Sequence, residues 1–200
     1  MNTLNAERRD LKVKARKLRR EGYVTGNVFG RKIEGSIPVK MNQKEVGQLL
    51  SKERKGSQIM LNVDGTDYDV LIKDIQYVAI TKTINEIDFQ ALVSNEKVHT
   101  TAEVICLNED RIVSGVLQIN LSEIPYKAYP SALVSEVRVD VGPMKIDDVL
   151  RVKDLEIASN KDIELMIDPE TVVASVLPVH NDIPEDTKEE APTVKKPEEN

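Results

Sequence analysis

The stretch from Ile59 to Ile72 constrains this chain more than any other. Ile59, Leu61 and Val63 alternate with polar residues, Asp64-Gly65 follows, and Tyr68, Val70 and Ile72 resume the alternation. A period of two on both sides of an Asp-Gly pair predicts an antiparallel hairpin with one face buried and one solvated. Other strand candidates surround it. Tyr23 to Gly30 reads as a strand ended by a glycine, Ile33 to Val39 alternates, and Ile84, Ile87 and Phe89 mark a further strand of less regular period. Between them the period changes. Asn42 followed by Glu45 is a capping-box pattern, and Met41, Val46, Leu49 and Leu50 share one helical face. Gly56 is expected to stop that helix, after Lys52, Arg54 and Lys55, whose charges suit a helix C-terminus. The fold class is therefore mainly β with a few helices (α+β), the first part being a small barrel or sandwich decorated by helices.

Two hundred residues suffice for one large domain or two ordinary ones. The pattern turns polar at Ser94-Asn95-Glu96-Lys97, and the charge balance changes sign just beyond it. Residues 1–95 carry 17 Lys+Arg against 12 Asp+Glu, whereas residues 96–200 carry 11 against 22, giving the net charge of −6. A basic half joined to an acidic half suggests that only the first faces a polyanion. We expect a first domain at 1–95 and a second β-rich domain at 96–180. The strand candidates of the second are Thr100–Leu107, Val113–Leu121, Val134–Val141 and Thr171–Val176, with Pro125 and Pro130 bracketing a connection. Residues 181–200 hold charged residues, Pro and Thr with few apolar ones, as a disordered acidic tail does. The lone Cys106 excludes an internal disulfide and reads as a small buried hydrophobe in a strand. With no apolar run of about 18 residues and no signal-like N-terminus, a cytoplasmic protein is expected.

Residues 8–20 are the most unusual segment. Arg8, Arg9, Lys12, Lys14, Arg16, Lys17, Arg19 and Arg20 give eight positive charges, opposed in the first twenty residues only by Glu7 and Asp10. Their propensities favour helix over much of the segment, and their mutual repulsion calls for a negative partner. An RNA backbone fits, because each phosphate neutralised by Lys or Arg releases condensed counterions. A solvated charged face is the bland alternative. A membrane surface fits less well, since Leu11, Val13 and Leu18 make a poor apolar face. Catalytic apparatus is not visible. His99 and His180 lack partners at metal-ligand spacing, no phosphate-cradling loop or nucleophile elbow occurs, and Asp64, Asp67, Asp69 and Asp74 read as a solvated turn. No metal, cofactor or small-molecule substrate is expected.

The order of these features resembles a known family, the bacterial large-subunit ribosomal protein twenty-five in its long two-domain form, also called Ctc or general stress protein. Three stretches carry the resemblance. The first is Leu4 to Arg9 with Ala15-Arg16-Lys17-Leu18-Arg19-Arg20-Glu21-Gly22 and Phe29-Gly30. The second is Val70 to Gln76 with Ile87-Asp88-Phe89. The third is Val139-Asp140-Val141, Val152 to Leu155 and Asp168 to Val176. The resemblance implies a β-barrel-like N-terminal domain that binds the loop-E helix of 5S rRNA in the large ribosomal subunit, with neighbouring proteins reached through the second domain. Carried over by position, Arg9, Lys12, Arg16, Lys17 and Arg19 meet phosphates and the minor groove, with Lys14 and Arg20 of the same run beside them. Gln76 and Asp88 stand at strand ends facing the RNA, or are simply polar strand ends. The chain departs from the family where Gly-Lys becomes Leu11-Lys12, Pro-Ala becomes Thr25-Gly26, Tyr becomes Phe29, and the His of His-x-Asp-Phe becomes Glu86. A carboxylate at that position opposes phosphate. The second reading, suited to these departures, is a stress-induced ribosome-associated regulator or protein-interaction module with weak RNA binding.

Overall fold

The hairpin expected around Asp64-Gly65 forms one side of a closed barrel. The computed structural model describes residues 2–31, 33–112 and 115–178. In it β4 (Gln58–Val63) pairs antiparallel with β5 (Thr66–Tyr77), from Val63↔Thr66 to Gln58↔Leu71. β5 pairs antiparallel with β6 (Ile84–Ala91), and β6 runs parallel to β2 (Tyr23–Phe29). β2 then pairs with β3 (Ser36–Asn42) and β3 with β1 (Thr3–Arg8). β1 closes the ring parallel to β4, at Thr3↔Met60 through Ala6↔Val63. β1 is not legible from periodicity, because only Leu4 and Ala6 point inward. The register shift at Gln76–Tyr77 leaves Asn85 as an extra residue on β6 and accounts for the irregular spacing of Ile84 and Ile87. A second shift, between Ile72 and Asp74, places the extra residue Lys73 on β5.

The alternating residues fill the barrel. Val24, Val28, Val39, Ile59, Leu61, Val70, Ile72 and Phe89 are fully buried. Gly26 faces this interior opposite Ile87, and a β-carbon there would collide with the Ile87 carbonyl oxygen. The Gly26 departure thus permits a very close approach of β2 to β6. Helix α2 (Gln43–Leu50) is capped by Asn42, whose Oδ1 accepts from the Lys44 amide at 2.9 Å, and it buries Val46 and Leu49. It ends at Leu50, before the expected stop. Gly56 lies in the following turn at φ +86°, and a β-carbon there would stand 2.5 Å from the Thr101 carbonyl oxygen of the second domain. Its role is close interdomain approach, not helix termination.

The basic segment is less helical than expected. Helix α1 covers only Ala15–Arg20. Asp10 interrupts the run by accepting from the Lys12 amide at 2.9 Å through its side chain and from the Val13 amide at 3.1 Å through its carbonyl. Such a local bond competes with helix. Leu18 alone in α1 is buried, where the helix packs on β2.

The second domain is two sheets around one core. β7 (Val98–Leu107), β9 (Glu123–Ala128), β10 (Glu136–Asp140) and β12 (Ile163–Leu165) form a sheet of order β10-β7-β9-β12. β8 (Val116–Ile119), β11 (Val149–Arg151) and β13 (Val172–Leu177) form the other, and α3 (Glu156–Ser159) precedes β12. Each expected strand window holds a strand, although β8 is shorter than its window and Val113 lies outside the described residues. The stretch between Pro125 and Pro130 is not simply a connection. Pro125 lies within β9 opposite Thr101. Its neighbour Tyr126 is the largest fully buried side chain, its hydroxyl donating to the Val134 carbonyl and accepting from the Val134 amide, both at 2.7 Å. Cys106 in β7 is half-buried, and burial, with the Glu109 charge nearby, pushes its thiol up. The expected tail and His180 lie outside the described residues.

Leu71, Leu92 and Val98 form a small buried contact between the domains, with Leu133 against it. Gly26→Ala should destabilise the protein by about 1–3 kcal/mol, because backbone rather than a flexible side chain must shift. Urea unfolding checks this through a lowered midpoint at unchanged slope.

Candidate nucleic-acid interface

The outward residues of β2 organise one wall of the barrel. Register places Thr25 beside Lys40 of β3 and Glu86 of β6, with Gln76 of β5 beyond Glu86. In the next row Asn27 lies between Pro38 and Asp88, with Asp74 beyond. Asn27 Nδ2 donates long hydrogen bonds to Glu86 Oε1 at 3.5 Å and Asp88 Oδ1 at 3.4 Å, tying the two carboxylates together. Lys40 holds Glu7 at 2.8 Å and sits 4.9 Å from the Tyr23 ring centroid. The hydrogen bond that Lys40 donates to Glu7 outweighs burial and raises the ammonium above its ordinary value. Gln76 is exposed and Asp88 half-buried.

The basic segment borders this wall. Arg19 Nε donates to the Asn85 carbonyl at 3.1 Å and its Nη2 to Thr25 Oγ1 at 3.3 Å, so it pins α1 across β2 to the start of β6. Thr25 is consequently only 1% exposed. Arg9 donates from its amide to Pro38 O at 2.9 Å and from Nη2 to Val13 O at 3.1 Å, which shapes the loop ahead of α1. Its Nε is buried without a hydrogen-bond partner among the described residues. Arg9 and Arg19 therefore have structural work beyond any ligand contact. Lys17 stands 3.9 Å from Glu21. Lys12, Lys14, Arg16 and Arg20 are exposed, and none forms an ion pair among the described residues.

The fold thus brings the expected residues to neighbouring places. Seven lie on the loop and helix, while Gln76 and Asp88 flank Glu86 next to the Arg19 contact at Asn85. Thr25, Asn27 and Lys40 join them, although sequence reading does not select them. The alternation Tyr23-Thr25-Asn27 carries the signal, since the partners of Val24 and Val28 must face outward. Elsewhere, Asp64 pairs with Arg8 at 3.9 Å and Asp69 holds Gln58 at 2.8 Å. Among the described residues no group of three or more ligating side chains is placed to hold a metal. His99 Nδ1 lies 3.1 Å from Met166 Sδ, with no carboxylate partner among the described residues. No helix of the described residues is long and apolar enough to cross a membrane.

A closed barrel with a cationic flank, followed by a two-sheet β domain, defines a two-domain, mainly β protein. Residues 4–89 match the Ribosomal L25p family, and residues 97–180 match the C-terminal domain of ribosomal protein TL5. The large ribosomal subunit protein bL25 of Bacillus velezensis is 32% identical over 196 residues, spanning 96% of each chain. The bL25 proteins of Caldanaerobacter subterraneus subsp. tengcongensis and Carboxydothermus hydrogenoformans are each 32% identical, over 88% and 80% of both chains respectively. The chain belongs to the bacterial ribosomal L25p family, in its long form with a TL5-type second domain. It is a structural, cytoplasmic ribosomal protein and not an enzyme.

The contacts of Arg19 predict unequal effects along α1. Arg19→Ala should lower stability by about 1–2 kcal/mol by releasing the helix from Asn85 and Thr25, whereas Arg16→Ala should stay within about 0.5 kcal/mol. Equal losses on urea unfolding would contradict the assignment.

Proposed function

We propose that the protein joins the large ribosomal subunit by holding 5S rRNA against α1, the loop ahead of it and the outward wall of β2, β6 and β5. The observation that carries this reading is the set of four exposed cations, Lys12, Lys14, Arg16 and Arg20, without an ion-pair partner among the described residues of a chain whose net charge is −6. Unneutralised positive charge beside a polar wall suits a partner that supplies phosphates and hydrogen-bonding groups together. An RNA helix does so through a wide, shallow minor groove lined with 2′-hydroxyls. Lys12, Lys14, Arg16, Lys17 and Arg20 take phosphates, while Arg9 and Arg19 hold the loop and helix in place and share the charge. Gln76, Asn27 and Asp88 offer the wall's donors and acceptors to the groove, a carboxylate accepting well from a 2′-hydroxyl. Residues 1–95 are the RNA-binding unit in this reading. Residues 96–180 contact other components of the subunit, and 181–200 form an acidic tail.

Glu86 sets the limit on affinity. It stands between Thr25 and Gln76, close to Asn27, where a carboxylate opposes any phosphate that approaches the wall. This supports the second reading, a ribosome-associated interaction module with weak RNA binding, to the extent that Glu86 outweighs the cations.

Gel shift of the full chain with 5S rRNA against tRNA competitor separates the two. With about five phosphate contacts the log–log salt dependence should have a slope of about −3.5 to −4.5. Reversal of Lys12, Lys14, Arg16 and Arg20 to Glu should abolish the preference while the protein stays folded, and Glu86→His should tighten binding. No preference of the unaltered protein for 5S rRNA over tRNA would transfer the case to the interaction module.

A further inference from the structure

A second basic surface lies two strands round the barrel from β2, and the second domain pairs with it. Arg54 and Lys55 stand in the turn between α2 and β4, and Lys73 at the irregularity in β5. Arg54 Nη1 donates to Glu103 Oε2 at 2.6 Å, and its Nε is 3.7 Å from Glu136 Oε2. Lys55 Nζ lies 2.8 Å from Glu123 Oε2, and Lys73 Nζ donates to the His99 carbonyl at 2.6 Å. Burial, with the Lys55 charge beside it, pushes the Lys73 ammonium below its ordinary value.

The three glutamates are a built row. Glu136 is the register partner of Glu103 between β10 and β7, and Glu103 that of Glu123 between β7 and β9. Like charges directly opposite on neighbouring strands repel, and here three stand side by side about 5 Å apart per strand. Such a row is tolerable because Arg54, Lys55 and Arg138, the last donating to Glu136 Oε1 at 2.6–2.8 Å, neutralise it. A line of closely spaced negative oxygens on a surface is also what an RNA backbone presents to the same cations.

We propose that Glu136, Glu103 and Glu123 act as an internal substitute for phosphates, occupying the Arg54–Lys55 surface so that RNA is confined to the α1 side. This inference rests on the RNA-binding reading above for the face that remains open. The apolar contact at Leu71, Leu92 and Val98 and the close approach of Gly56 to Thr101 hold the domains together without these charges. Removing the carboxylates therefore leaves the domains docked. The side chains of Arg54 and Lys55, 47% and 36% exposed, are then free to meet phosphate.

The test uses the full chain carrying Glu103→Gln, Glu123→Gln and Glu136→Gln. A control carries Glu109→Gln, Asp110→Asn and Glu156→Gln, which change net charge equally elsewhere in the second domain. Three released cations, Arg54, Lys55 and Arg138, should steepen the log–log salt dependence of tRNA binding by about 2.1–2.7 and raise tRNA affinity at low salt. The preference for 5S rRNA should fall accordingly. Adding Arg54→Ala, Lys55→Ala and Arg138→Ala should return the slope to that of the unaltered protein, and the control should not move it. An unchanged slope in the folded triple variant would overturn the proposal. So would equal changes in variant and control, which would mark a general effect of net charge. Failure of the unaltered protein to prefer 5S rRNA would instead sink the functional reading, while the tRNA slopes still judge the role of the glutamate row.

Discussion

Closure of the first domain by β1 onto β4 is the constraint on which the rest depends. A ring of six paired strands has no free edge to extend, so this domain meets other molecules through outward side chains. Closure also sets where the basic segment begins. β1 ends at Arg8, and the chain leaves the barrel with Arg9 bonded to Pro38, beside the row that holds Asn27 and Asp88. The loop and α1 then lie across β2, with Arg19 as the pin. A cationic helix this short is not stable by itself. It is held by Leu18 and by two hydrogen bonds from one guanidinium.

The division of charge acquires a physical meaning once the domains are seen together. The excess positive charge of the first half falls into two groups with different fates. One, Lys12, Lys14, Arg16 and Arg20 around α1, stays without ion-pair partners among the described residues, and the other meets the glutamates of the second domain. The pairs there are partly exposed and each is worth little to stability. Their effect is better measured in where the protein presents positive potential than in how firmly it folds.

Much of the fold is legible in the residues, and the failures have identifiable causes. The hairpin, α2 and four second-domain strands follow from period and turn chemistry. β1 escapes because two inward residues make no pattern. β9 escapes because Pro125 reads as punctuation, although a proline is tolerated in a strand where its missing N–H is not needed. The basic run reads as a longer helix because propensity ignores Asp10, whose side chain and carbonyl capture two amides. Arg54, Lys55 and Gly56 read as the end of α2, since nothing local reveals a partner about 50 to 70 residues away. Of the site, the positive charge is plain in sequence. The wall formed by Thr25, Asn27 and Lys40 is not, because it depends on which strands become neighbours.

Hydrogen exchange of the full chain with and without 5S rRNA tests the central claim most directly. Binding through α1 and the β2–β6 wall predicts added protection in residues 9–20 and at the start of β6, around Asn85–Asp88, with β8 and β13 unchanged. Protection confined to the second domain, with none in residues 9–20, would contradict it.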